Sequence, residues 1–128
     1  MSNLQIEQFT ALSDNFGVLI HDPDANLTAS IDAPEEKPVL DALKRRGWTL
    51  THIFSTHHHN DHVGANLALK KRFKLEILGP DAEKANIPGI DRTLKHGDRF
   101  RFGNFDVFVI STPGHTAGEI SYHIPEAK

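Results

Sequence analysis

Four histidines and one aspartate fall within six consecutive positions, in the run His57-His58-His59-Asn60-Asp61-His62. Such crowding needs a cause, because protonated imidazoles repel one another and neutral ones need hydrogen-bond partners. Chelation supplies one. His57 and His59 are two positions apart, so in an extended segment both side chains project to the same side and can grip one ion. Asp61 and His62 follow where the chain is expected to turn into a helix, within reach of a second ion beside the first. Imidazole nitrogen suits zinc and iron, and a carboxylate adds the negative charge that a divalent site needs. Two ions about 3.5–4 Å apart can share one hydroxide and use it as a nucleophile at neutral pH. An exposed histidine-rich loop or a terminal tag is the plainer alternative. It fits poorly, because the run is internal and lies between an apolar strand and a helix.

A second segment, Thr112 to His123, reads "TPGHTAGEISYH". Pro113 and Gly114 place His115 in a tight loop after an apolar strand, a way of aiming one side chain at a site built elsewhere. Alone, a histidine in a glycine-rich loop is more often structural. Beside His57 and His59 it becomes the third imidazole that completes a zinc face. His21, His52, His96 and His123 are read as surface or supporting residues, and His58 as pointing away from its neighbours. Lys70, Lys71 and Arg72 read as a solvated face at a helix C-terminus, where cations suit the dipole.

Positioning these residues requires strands and helices in alternation. Short strands are expected over residues 4–9 and 15–22, joined by a turn at Ser13-Asp14, with a third over 27–31 after the turn in "HDPDANLT". A helix should start near Pro34, Glu35 and Glu36, carry Val39, Leu40 and Leu43 inward, and stop at Gly47. A short strand over 52–55 leads into the histidine run. A helix over 63–73, with Leu67 and Leu69 inside, leads out of it. A strand over 75–78 is closed by Gly79-Pro80, and residues 81–97 carry mixed loop signals. The stretch from Arg99 through Gly103-Asn104 to Ile110 is a hairpin, and residues 120–124 form a last strand. Trp48, Phe54, Phe100, Phe102, Phe105 and Phe108 are assigned to core or hairpin packing. The pattern implies an α/β fold.

Composition narrows the function. With 128 residues the chain is one domain by size, and 14 basic against 17 acidic residues give a net charge of −3. That balance leaves no electrostatic footprint for nucleic acid. No apolar run reaches the ~18 residues of a membrane span. There is no cysteine and there are nine histidines, so any transition metal must be held by His, Asp or Glu. A chain without cysteine and without a leader-like N-terminus is expected in the cytoplasm.

These stretches give the chain a family likeness. With "DNFGVLI" at Asp14 to Ile20, "IDAPE" at Ile31 to Glu35, "LTHIFSTHHHNDHVGAN" at Leu50 to Asn66 and "STPGHTAGEISYHI" at Ser111 to Ile124, it resembles a metallo-β-lactamase-fold hydrolase. Within that superfamily it is most similar to the glyoxalase II (hydroxyacylglutathione hydrolase) family. The resemblance implies an αβ/βα sandwich, of which this chain would hold the N-terminal half: a first mixed sheet with helices and the start of a second sheet. It implies that His57, His59 and His115 hold one metal and that Asp61 and His62 hold a second. The expected metal is zinc, with iron or manganese as alternatives. Asp61 would also orient the attacking hydroxide.

The implied reaction is hydrolysis of S-acyl-glutathione thioesters, S-lactoylglutathione giving lactate and glutathione, by a metal-bound hydroxide. The family's bridging aspartate, in a Gly-Asp-Thr segment, and its last histidine have no counterpart before Lys128, nor do its glutathione-binding helices. Glu119, His123 and Glu126 are not taken as substitutes. Residues 1–128 are therefore expected to form one domain that lacks these parts, with impaired activity alone. Uncovered apolar faces on the 99–110 hairpin would then favour self-association. A persulfide dioxygenase-like enzyme with one iron, another hydrolase of the metallo-β-lactamase fold, and a non-catalytic metal-binding fragment are the competing readings. No nucleic-acid or membrane partner is expected.

Overall fold

Adjacent apolar residues in three strands face opposite ways. Leu19 and Ile20, Ile53 and Phe54, and Ile77 and Leu78 are all at most 5% exposed. The first of each pair packs with Val39, Leu43 and Leu69, while the second packs with Phe100, Phe102, Val107 and Val109. A strand buried on both faces must lie between two layers, so this alternation by itself builds helices, a central sheet and a second sheet in that order.

The computed structural model describes residues 4–11, 15–33, 35–56, 65–111 and 120–125. The described elements are β1 (Gln5–Ala11), β2 (Asn15–Asp22), β3 (Leu27–Ile31), α1 (Glu36–Arg46), β4 (His52–Phe54), α2 (Asn66–Phe73), β5 (Glu76–Pro80), a 3-10 helix (Asp81–Asn86), β6 (Arg92–Leu94), β7 (Arg99–Phe102), β8 (Phe105–Ser111) and β9 (Ile120–His123). The first sheet has the order β1-β2-β3-β4-β5-β6 and the second the order β7-β8-β9. The β1–β2 and β2–β3 pairs are antiparallel, whereas β3–β4, β4–β5 and β5–β6 are parallel. The sheet is therefore mixed, and the parallel part brings the C-terminal ends of β3, β4 and β5 to one edge.

Helix α1 forms as its sequence dictates. Glu36 stands in its first turn and Lys44, Arg45 and Arg46 in its last, and Gly47 closes it in the left-handed region at φ 70°, a conformation glycine adopts without cost from a Cβ.

Several expectations are corrected. Leu67 is 60% exposed, while Asn66 and Leu69 are fully buried; the inward face of α2 therefore passes through positions 66 and 69, and 67 falls on the far side. β5 runs on through Gly79 and Pro80, pairing with Thr93 and Leu94. The 81–97 stretch contains the 3-10 helix and β6, a strand of three residues, two of them exposed, too short for alternation to reveal. Of the two readings given to His21, surface or supporting, the structure has the supporting one. His21 is 5% exposed, stacks on Trp48 at 4.5 Å between centroids and has Nδ1 2.8 Å from Thr28 Oγ1. Lys70 is not merely solvated, since its Nζ donates to Gly89 O at 2.8 Å and to Asp91 Oδ1 at 2.6 Å. The β7–β8 hairpin is covered on its inner face, where Phe100, Phe102, Phe105, Val107 and Val109 are at most 7% exposed. Its uncovered apolar surface comes down to outward residues such as Ile110, at 39%. The turn at Ser13-Asp14 and the first residues of the expected 63–73 helix lie outside the described residues.

The two sheets are joined by a buried carboxylate. Asp22, fully buried, accepts the backbone N–H of Asp24 at 2.9 Å and of Ala25 at 3.3 Å through Oδ1. Its Oδ2 accepts the N–H of Asn104, in the β7–β8 turn, at 2.7 Å. Gly103 comes so close that a Cβ would collide with that same oxygen, and its φ is 59°. Hydrogen bonds to a charged acceptor contribute about 1.5–3 kcal/mol, so Asp22→Asn, which turns one acceptor into a donor, should cost about 2 kcal/mol in denaturant unfolding. A change under about 0.5 kcal/mol would remove Asp22 from this role.

A second expectation concerns pH. Thr51 Oγ1 has one proton and gives it to Thr28 O at 2.8 Å, so the 2.8 Å contact with His52 Nδ1 requires the imidazole to donate. Burial holds the His52 pKa below 6.5, against a smaller upward pull from Glu76. The unfolded chain then takes up the proton first. Stability is fully present above pH ~6.5 and is lost as pH falls below it. Unfolding midpoints should drop between pH 7.5 and 5.5, and His52→Asn should flatten that drop; an unchanged slope would exonerate His52.

Candidate metal centre

The end of β3 holds both ends of the histidine segment. Asp32 follows β3 with φ 63°, a left-handed conformation uncommon outside glycine, and is 6% exposed. Its N–H donates to Phe54 O at 2.9 Å, at the end of the neighbouring β4. The turn aims its carboxylate across that strand end. Oδ1 accepts the Thr56 N–H at 2.7 Å and Oδ2 accepts the Thr56 hydroxyl at 2.7 Å. Ser30 Oγ braces the same residue by donating to Asp32 O at 2.5 Å. One residue on, Ala33 O accepts the Ala65 N–H at 2.8 Å. Segment 57–64 therefore leaves the described frame at Thr56 and returns at Ala65, both tethered to consecutive residues of one strand end.

The second segment starts and finishes beside the first. Ser111 and Ile120 are paired across β8 and β9, and segment 112–119 lies between them in sequence. Ile120 N–H donates to Thr56 O at 3.0 Å. Thr56, Ala65, Ser111 and Ile120 thus gather the four ends at the edge where β3, β4 and β5 terminate, the usual ligand side of parallel strands. His96 steadies Ser111: its Nδ1 accepts the Ser111 N–H at 2.9 Å. A cavity of about 280 Å³ opens there, with Pro80, Leu94 and Ile120 as apolar lining and Asp81, Lys95 and His96 as polar groups.

Two buried polar atoms stand at the flanks of the histidine segment without a partner among the described residues. They are Ser55 Oγ and Asn66 Oδ1; both residues are fully buried, and Asn66 Nδ2 reaches Pro88 O at 3.2 Å. Buried polar groups without a partner are uncommon, and a bound ion is one of the explanations for them. The donor chemistry fits a divalent transition metal: His57, His59, His62 and His115 offer imidazole, and Asp61 offers a carboxylate. These five residues themselves lie outside the described residues, as does His58. Among the described residues no group of three potential ligands gathers, so what the structure gives is the frame on which the five are strung.

Sequence reasoning assigned no role to Asp32 beyond its place in "IDAPE". The available signal was an aspartate directly after an apolar strand, followed by alanine and proline rather than by further strand residues.

The chain matches the metallo-beta-lactamase superfamily over residues 21–128. It is 60% identical over 128 residues to a hydroxyacylglutathione hydrolase of Rhizobium meliloti, covering all of this chain and 50% of that protein. It is 65% identical over 125 residues to a hydroxyacylglutathione hydrolase of Brucella ovis, covering 98% of this chain and 49% of that protein. In fold it superposes on a metallo-beta-lactamase from Staphylococcus aureus with a TM-score of 0.82 and 22% identity, over 98% of this chain and 39% of that one. The chain spans about half the length of the curated relatives it matches. A mixed sheet and a second sheet whose strand ends carry "HHHNDH" and "PGH" between them, together with the match over 21–128, place the chain in the metallo-beta-lactamase superfamily.

Proposed function

We propose that this chain is the metal-binding part of a hydrolase acting on S-acyl-glutathione thioesters such as S-lactoylglutathione, with zinc as its metal. The observation that carries the reading is the tether between Thr56 and Ile120, which draws the chain flanking His57 and the chain following His115 to one strand edge. The 60–65% identity to hydroxyacylglutathione hydrolases supports the substrate class.

His57, His59 and His115 would hold one ion, and Asp61 and His62 a second. A divalent ion there supplies Lewis-acid polarisation of the thioester carbonyl and activates water at neutral pH. The protein's own part is to orient and to exclude. Asp32 and Ala33 fix Thr56 and Ala65, the residues on either side of the first segment, and metal affinity and rate depend on support of this kind around the ligands. Asp61 would also orient the attacking hydroxide. The leaving thiolate, with a conjugate-acid pKa of ~8.5, departs with little help from an acid. The cavity beside Ser111 is lined by Lys95 and Asp81 and by an apolar wall of Leu94 and Ile120; Lys95 would suit a carboxylate of the substrate and the apolar wall its short acyl group. Such a substrate is a soluble metabolite, and a chain free of cysteine suits the cytoplasm.

Zinc measured on the purified 128-residue chain should be retained weakly, and His59→Ala should remove it. Thioesterase turnover on S-lactoylglutathione should be small for this chain alone and restored in a protein extended to the length of its relatives. Robust turnover by the 128 residues would refute the idea that they are one part of the catalytic unit. Iron retention with oxygen uptake on glutathione persulfide would move the activity to a dioxygenase.

A further inference from the structure

The tyrosine of "ISYH", to which sequence patterning gave no function, reaches the same strand end from the opposite sheet. Tyr122 lies on β9, two residues beyond Ile120. Its hydroxyl donates to Ser55 O at 2.5 Å, with a longer approach of 3.5 Å to Leu78 O. The ring is fixed against Phe54, at 5.3 Å between centroids, and edge-on to Phe100 at 6.4 Å. Leu78 O also accepts the Ser55 N–H at 2.7 Å, so the hydroxyl sits where β4, β5 and β9 meet.

Ser55 O and Thr56 N belong to one peptide unit, which is planar and rigid. Tyr122 holds its carbonyl from the second sheet, and Asp32 holds its N–H from the first at 2.7 Å. With both ends of a rigid plane fixed, its tilt has no freedom left. The next peptide oxygen, Thr56 O, accepts from Ile120, so two consecutive carbonyls are gripped by two positions of β9. Burial, reinforced by the nearby Asp32 carboxylate, holds the phenol pKa well above its ordinary value; the hydroxyl remains a donor throughout the physiological range.

We propose that Tyr122 is a positioning residue for the metal centre: by fixing the Ser55–Thr56 peptide plane against Asp32, it sets the start of the His57-His59-Asp61-His62 run relative to the segment that carries His115. The proposal rests on the metal-centre reading above. It gives the hydroxyl a purpose that packing alone does not, because phenylalanine would fill the same aromatic cluster.

The test compares zinc affinity, by chelator competition, and the visible spectrum of the cobalt-substituted chain for wild type, Tyr122→Phe and Asp22→Asn. Asp22 pairs with Leu27 at the start of β3, the end of that strand opposite Asp32, so its substitution lowers stability away from the site. Tyr122→Phe should weaken zinc binding about tenfold, the size expected for loss of a supporting contact, and shift the cobalt bands, with Asp22→Asn changing neither. Equal affinity and equal spectra for Tyr122→Phe and wild type would overturn the proposal. An equal loss of affinity in Asp22→Asn would also overturn it, by tracing the effect to global stability. A wild-type chain that retains no metal would instead defeat the metal-centre reading, and this proposal with it. Should Tyr122→Phe fail to fold, the wild type reports the same coupling: zinc should slow amide exchange at Thr56 and Ile120, and unchanged exchange at both would overturn it.

Discussion

Both oxygens of the Asp32 carboxylate close on Thr56, and the rest of the molecule is arranged so that they can. A carboxylate directed across a neighbouring strand end needs its backbone to turn sharply. Asp32 makes that turn in the left-handed region, at φ 63°, in a conformation that costs on the order of 1 kcal/mol or more outside glycine. It persists because the surroundings over-determine it: the Asp32 N–H is on Phe54 O, its carbonyl receives Ser30 Oγ, and both carboxylate oxygens are engaged. Parallel pairing of β3 with β4 is the prior condition, since only then do the two C-terminal ends lie side by side.

The two hydrophobic layers serve this edge differently. The helix layer, with Val39, Leu43 and Leu69 against Leu19, Ile53 and Ile77, sets the plane of the first sheet and has few polar obligations. The inter-sheet layer is aromatic, with Phe54 edge-on to both Phe100 at 5.3 Å and Phe102 at 5.5 Å. Edge-to-face rings resist sliding more than aliphatic contacts do. The second sheet therefore docks at a defined height, and that height determines where Ile120 and Ser111 stand relative to Thr56. Asp22 pins the other end of the same interface through the Asn104 N–H. At the site end the Thr56–Ile120 hydrogen bond and the rings set where the second sheet stands, while Asp22 holds only the distant β7–β8 turn.

What was legible in the sequence was local. The chelating run, the α1 boundaries with Glu36 at one end and Gly47 at the other, and the Gly103-Asn104 hairpin are each written within a few residues, and the structure has the helix and hairpin where the patterns put them. What was illegible depends on partners distant in sequence. Leu67 faces outward because the burial of Asn66 and Leu69 decides the rotation of α2. Lys70 reads as a solvated cation until Gly89 and Asp91 are brought under it, and His21 reads as surface or supporting until Trp48, stacked on it, decides between the two. Asp32 and Thr56 are 24 residues apart, and no spacing rule connects them. The five expected ligands remain as the sequence named them, with the structure contributing the frame around them.

That frame bears on how a metal would act on the fold. Histidines crowded at positions 57, 58, 59 and 62 repel when protonated, so the segment favours any state that lets them separate. A divalent ion bound there would reverse the sign, because it takes deprotonated imidazole and would favour whatever arrangement brings its ligands together. Its binding energy then adds to the stability of whatever gathers the ligands. Here the gathering parts are Thr56, Ala65, Ser111 and Ile120, tied to β3, β8 and β9. Ser55 Oγ and Asn66 Oδ1, which have no hydrogen-bond partner among the described residues, flank the same segment, and a buried polar group left unpaired is costly. Among the described residues, the polar groups left without a partner thus stand beside the two ends of the histidine segment, where a bound ion would add stability.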